Sequence, residues 1–180
     1  MHILSFFVYS TFRHDIIDLS LYFRKAEAKM STSKNVQMIL NGTISSLSTV
    51  IPVKLDVLGP SITVQPYEQK EISVLIGLVG GIKGRLIIDA SLDAINTIGQ
   101  AMFGMSIEGE MIESFTGELG NMVAGNLCTI LEKDGLILDI SPPTVMTGTT
   151  KFYGFKQAFK LPVKIDGGGM LTVLLTIDEN

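Results

Sequence analysis

The apolar positions of this chain change their period along its length, and the changes mark its elements. In residues 34–50 the positions Val36, Ile39, Leu40, Thr43, Ile44 and Leu47 recur every three or four residues, as on one side of a helix. Residues 31–33 offer caps for its start, and Pro52 ends it. Residues 53–58 alternate like a strand, and Gly59-Pro60 turns the chain. Residues 61–70 read as a connection with room for a short strand before Pro66. Residues 71–79 and 84–90 are β in composition, and Gly80-Gly81 followed by Lys83-Gly84 joins them as a hairpin. These glycines lack the Gly-Lys-Ser/Thr end of a phosphate loop and open no helix, so the turn reading stands. Ser91 caps a second helix reaching about Phe103, with Asp93 in its first turn to complement the helix dipole.

Residues 112–131 then read as one long helix, closed by Gly135. After it come a strand over 136–140, a rigid break at Ser141-Pro142-Pro143, and a short strand over 144–146. Residues 155–164 and 170–177 form a closing antiparallel pair around Asp166-Gly167-Gly168-Gly169. The order of helices and hairpin-linked strands predicts an α+β fold. A largely antiparallel sheet is packed by the long helix and two further helices.

The long helix is the most informative stretch. Its wheel predicts a buried face of Ile112, Phe115, Leu119, Met122, Val123 and Ile130. Ser114, Glu118 and Asn121 fall on a different stripe, at spacings of four and three residues that stack one turn above the next. A carboxylate and a carboxamide are thus held side by side on a stiff rod. Gly117, Gly120 and Gly125 interrupt the same helix, each at a cost of roughly 1 kcal/mol relative to Ala. Such residues suit a place where another backbone or a partner comes close, and Gly125 shares the stripe of Glu118 and Asn121. A carboxylate can bind a cationic side chain, and a carboxamide can both donate to and accept from one water, orienting it for attack. The spacing alone is also compatible with an ordinary solvated helix face. Asn126 reads as a structural hydrogen-bonding residue and Cys128 as a small core-adjacent one.

Composition narrows the chemistry. The chain has 180 residues and a net charge of −4, with no basic patch to bind nucleic acid. Mean hydropathy is +0.39, yet no apolar run approaches the ~20 residues of a membrane span. One cysteine, Cys128, precludes an intramolecular disulfide and fits a reducing, cytoplasmic setting. His2 and His14 both precede Met30, so a Ser-His-Asp unit or a Cys/His zinc site within the rest of the chain is excluded. Residues 1–29 differ in character from the remainder. The apolar run over 3–9 has no positive charge before it and is too short to span a bilayer. The preferred reading is a start assigned too far upstream, leaving residues 30–180 as a single domain. The alternatives are a loosely attached extension or a weak membrane-surface segment.

The run S-F-T-G-E-L-G-N-M-V-A-G-N resembles the signature of the CheC/CheX/FliY chemotaxis phosphatases. That signature is Asp or Ser, three residues, Glu, two residues, Asn, then a Pro about twenty residues on. Here the positions are Ser114, Glu118, Asn121 and Pro143 or Pro142. The flanking G-L-V-G-G-I-K-G-R-L-I-I-D-A-S and S-P-P-T-V-M-T-G also resemble the family. Gly120 stands where Ala is common. The first helix has Met38 and Asn41 where a second motif would need Glu and Asn, so one motif in a chain of this size is similar to CheX. The resemblance implies a homodimeric phosphatase acting on the phosphorylated aspartate of a CheY-type response regulator. Glu118 and Asn121 would be catalytic, Glu118 pairing with a lysine of the regulator and Asn121 placing the attacking water. Ser114 and Gly125 would touch the partner. Mg2+ would belong to the regulator, with no metal or other cofactor on this chain. The competing readings are a non-catalytic regulator-binding or flagellar-switch adaptor on the same fold, and a plain structural dimer.

Overall fold

The computed structural model describes residues 33–69 and 71–178. The reading of residues 1–29, and of the capping side chains at 31–33, lies outside what is described. Three helices are present among the described residues: α1 (Ser33–Val50), α2 (Leu92–Phe103) and α3 (Glu110–Lys133). Four strands form the middle of the main sheet: β4 (Ile72–Gly80), β5 (Gly84–Ala90), β9 (Gln157–Ile165) and β10 (Met170–Ile177). They run in the order β9-β10-β5-β4, every pair antiparallel.

Each side of this centre is finished by two short strands. β1 (Leu55–Val57) and β2 (Ser61–Val64) both pair with β9. β6 (Leu138–Ile140) and β7 (Thr144–Thr147) both pair with β4. The Ser141-Pro142-Pro143 break lies between β6 and β7, where prolines cannot donate to a ladder. Ser141 Oγ accepts from Gly77 N at 2.8 Å instead. A separate ribbon of β3 (Tyr67–Gln69) and β8 (Thr150–Phe152) completes the fold.

The α+β architecture with a large antiparallel sheet is therefore as the sequence predicts. Three local readings change. The connection over 61–70 holds two strands rather than one. Residues 150–152 form a strand that carries no periodic signal, being only three residues long. The strand expected over 136–140 starts at Leu138, because Leu136 folds back and its N–H bonds the Leu131 carbonyl at the end of α3.

Alternation along the strands sorts side chains onto two faces. Ile72, Val74, Ile76, Leu86, Ile88, Leu161, Val163, Val173 and Leu175 join the helices in the main core. Ile87 and Leu174 point the other way, into a smaller cluster with Phe152, Phe155 and Ala158 under the ribbon. α2 starts as predicted: Ser91 Oγ accepts from Ala94 N at 3.2 Å, and Asp93 lies in the first turn. α1 and α3 pack side by side on the sheet. Ser46 Oγ of α1 donates to the Val123 carbonyl of α3 at 2.6 Å, and Asn126 Nδ2 donates to Ser46 Oγ at 3.3 Å. Asn126 is thus the structural hydrogen bonder that its position suggested. A buried polar tie of this kind fixes the register of two otherwise apolar surfaces.

Candidate functional site

The buried stripe of α3 is Phe115, Thr116, Gly117, Leu119, Gly120, Val123, Ala124, Leu127 and Leu131. Three expected members are missing from it, one exposed and two half-buried. Met122 is 38% exposed, because at about 100° per residue it lies beyond the edge of the arc that meets the sheet. Ile112 and Ile130 are half-buried at the margins.

Two of the three glycines are explained by this packing. A Cβ on Gly120 would stand 2.6 and 2.8 Å from the two methyl carbons of Val74 on β4. A Cβ on Gly117 would stand 3.2 Å from Val145 Cγ2 on β7. The helix therefore lies directly on the sheet, with no side chain to hold it off. Gly125 is different: a Cβ there would meet nothing within 4 Å.

Ser114, Glu118 and Asn121 are all exposed, and half-buried Gly125 follows on the same stripe. The stripe runs along the side of α3 roughly opposite its buried arc. Among the described residues, no hydrogen bond or ion pair engages the side chain of Glu118 or Asn121. Both are free to meet a partner, and one turn of helix separates them. Thr116 Oγ1, by contrast, is taken up by the Ile112 carbonyl at 2.7 Å.

Glu118 and Asn121 project from the exposed side of α3. A concavity of about 330 Å³ opens near the start of α3, lined by residues that include Glu71, Leu92, Ile112, Glu113 and Thr147, but neither Glu118 nor Asn121. Small-molecule sites bury most of their ligand in a concave pocket. A carboxylate and amide on an exposed helix face suit a reactive centre carried by another macromolecule. The described residues include no group of three or more His, Cys, Asp or Glu able to hold a metal ion. No helix among them is long and apolar enough to cross a membrane.

A second ionisable cluster lies on the far face of the sheet. Tyr67 of the ribbon donates its hydroxyl proton to Asp89 Oδ2 at 2.5 Å, and Lys160 Nζ lies 5.8 Å from the Tyr67 ring centre. Burial pushes the Asp89 carboxyl above its ordinary range, against the opposing pull of the Tyr67 hydrogen bond and the Lys160 charge. Burial, followed by Asp89 itself, pushes the Tyr67 phenol up as well. No local pattern marks this pair, since Tyr67 and Asp89 meet only through the ribbon.

The class of fold is that of the CheX/CheC-like α+β proteins. A CheC-like superfamily protein from Shewanella sp. PV-4 matches at 26% identity and TM-score 0.66, over 80% of this chain and 97% of that one. A chain of the CheX–CheY–BeF3–Mg2+ complex from Borrelia burgdorferi matches at 24% identity and TM-score 0.66, over 80% and 97%. In sequence, the CheY-P phosphatase CheX of Thermotoga maritima is 36% identical over 138 residues, 71% of this chain and 87% of that protein. The family described as chemotaxis phosphatase CheX matches residues 72–158, a span that contains all of α3. The chain belongs to the CheX family of chemotaxis phosphatases.

Proposed function

We propose that this protein hydrolyses the phosphoaspartate of a CheY-type response regulator, with residues 30–180 as the working unit. Glu118 pairs with a lysine beside the regulator's phosphorylated aspartate. Asn121 accepts from and donates to one water, aligning its oxygen with phosphorus. The new bond joins water oxygen to phosphorus, and the bond between phosphorus and the aspartyl oxygen breaks. The aspartate leaves as a carboxylate, and both water protons end on inorganic phosphate. Ser114 and Gly125 lie against the regulator, Gly125 because a bare helix surface lets the partner backbone approach.

The observation that carries this reading is the placement of Glu118 and Asn121, exposed and unengaged one turn apart, on the helix of a family whose relative in Thermotoga maritima is a CheY-P phosphatase. The Borrelia complex, which contains a CheX, a CheY, BeF3 and Mg2+, supports a CheY-type partner and a metal that comes with it. This chain contributes no cofactor of its own. By the family likeness, the working form is a homodimer in the cytoplasm.

The test is phosphate release from a phosphorylated CheY-type receiver. Asn121→Ala is expected to keep regulator binding and to lose about 10²–10³ in turnover, as for removal of one well-placed polar group at a reacting centre. Undiminished turnover in Asn121→Ala overturns the assignment.

A further inference from the structure

α1 and α3 meet through small residues. A Cβ on Gly42 of α1 would stand 2.8 Å from Leu127 Cδ1 of α3, so the helices lie too close there for an ordinary side chain. One turn further along α1 is Ser46, 0% exposed. Its hydroxyl donates to the Val123 carbonyl at 2.6 Å and accepts from Asn126 Nδ2 at 3.3 Å. Its proton and a lone pair are thus both committed to α3, at two positions three residues apart. Alanine would fill the same narrow gap, with better helix propensity and no hydroxyl to take out of water. The hydroxyl therefore adds a direction to a contact that size alone would satisfy.

What it directs is the roll of α3 about its own axis. The contacts with the sheet, Gly120 on Val74 and Gly117 on Val145, set how deep the helix lies. They are apolar, and apolar burial has no preferred direction, whereas a hydrogen bond does. Val123 is two residues beyond Asn121, so the tie acts about 3 Å along the axis from the reacting amide. A roll of about 10° moves a side-chain tip lying about 5–6 Å from the helix axis by about 1 Å. At a reacting centre a misplacement of about that size can cost about 10²-fold in rate. Ser46 is itself buried between the helices and meets no partner, while Asn121 is exposed.

We propose that Ser46 is a positioning residue for the hydrolytic step. By holding the Val123 carbonyl and the Asn126 amide it fixes the roll of α3, and with it the aim of the Asn121 amide at the attacking water. The inference rests on the phosphatase reading for the reaction it serves. Alignment of one water is sensitive to a fraction of an ångström, whereas receiver binding is spread over a wider surface, so the loss falls on kcat rather than on affinity.

The test uses the full chain and a CheY-type receiver from the same organism, phosphorylated for turnover or loaded with BeF3 and Mg2+ for binding, well below the Tm of every variant. Ser46→Ala is expected to lower kcat about tenfold, with KM and Kd within about twofold of wild type. Asn126→Ala, which removes the second contact, is expected to lower kcat about threefold. The double variant should fall no further than Ser46→Ala alone, because both changes break one unit. Ile98→Val, a core change in α2, controls for lost stability and should keep wild-type kcat. While wild type turns over, an unchanged kcat in Ser46→Ala, a loss confined to KM, or an equal fall in Ile98→Val overturns the positioning role alone. Should Ser46→Ala fail to fold, an unchanged kcat in Asn126→Ala overturns it instead. Absence of phosphate release from wild type overturns the phosphatase reading, and with it the step that Ser46 would serve.

Discussion

The two faces of the central sheet are built on opposite principles. On the helix face β4, β5 and β10 present Ile72, Val74, Ile76, Leu86, Ile88, Val173 and Leu175 to helices that answer with apolar side chains, and the buried hydroxyls of Thr43, Ser46 and Thr116 are all hydrogen-bonded. The ribbon face buries polar atoms. Ser73, Gln69 and Thr176 are each at most 1% exposed, and the Ser73 hydroxyl, the Gln69 side-chain oxygen and the Thr176 hydroxyl have no partner among the described residues. Tyr67 and Asp89 hold the ribbon down through one short hydrogen bond. Close apolar packing is stiff and insensitive to ionisation. Buried polar contacts are specific but respond to charge. The reactive stripe sits on the helix backed by the stiff face, so the position of Glu118 and Asn121 is inherited from the packing beneath that helix.

That contrast predicts which changes cost activity and which cost stability. Glu118→Ala is expected to weaken receiver binding and turnover together, by ten- to a hundredfold. A hydrogen bond to a charged group contributes about 1.5–3 kcal/mol. Asn121→Ala, with the larger loss in turnover, should spare binding. Neither should change stability by more than about 0.5 kcal/mol, the usual range for exposed positions. Thermal melts beside phosphate release check this. A drop of several degrees in Tm for either variant would mean that the pair is part of the fold after all, and the separation of roles between the faces would fail.

The helix face was legible because its elements are long. In α1 and α3 the 3.6-residue period repeats often enough to separate inside from outside, and Ser91 announces α2 by its cap. The stripe of Ser114, Glu118, Asn121 and Gly125 followed from the same arithmetic. Met122 did not, because periodicity marks a hydrophobic residue as inward without knowing how wide the buried arc is. On the ribbon face little could be read. β3 and β8 span three residues each, too short for any period, and their pairing joins Tyr67 to Phe152 across more than eighty residues. The Tyr67–Asp89 contact depends on that long-range pairing, and no local pattern encodes it.

Within α3 the comparison can be narrowed to two glycines that face opposite ways. Gly120→Ala puts a methyl group 2.6 Å from Val74 Cγ1, so the helix must lift or Val74 must move. Overpacking of this kind costs about 1–3 kcal/mol, partly offset by the better helix propensity of Ala. For a chain of this size that is a fall in Tm of a few degrees. Gly125→Ala enters open space and should gain up to about 1 kcal/mol from propensity alone. If Gly125 is where the regulator backbone comes close, the stabilised variant should also show a raised KM. Paired melting curves with opposite signs would support a helix laid bare on one side for the sheet and on the other for a partner. A fall in Tm for Gly125→Ala would show that its surface is covered.

The smallest effect is expected from the ribbon face, in the pH dependence of stability. Asp89 is held above the ordinary carboxylate range chiefly by burial. The folded state therefore binds its proton more tightly than the unfolded state does. Stability falls as pH rises from about 4 through the raised folded value, and the loss is complete once the buried carboxylate is charged. Asp89→Asn keeps the shape and leaves an oxygen to accept from Tyr67, but cannot ionise. The Tm of Asp89→Asn should gain on that of wild type as pH rises from about 4 to 7, while phosphate release stays unchanged because the sheet lies between Asp89 and α3. A difference that shrinks with rising pH would show that Tyr67 and Lys160 stabilise the charge by more than burial penalises it. A change in turnover would show that the two faces of the sheet are coupled, and that the reactive stripe depends on more than the packing beneath it.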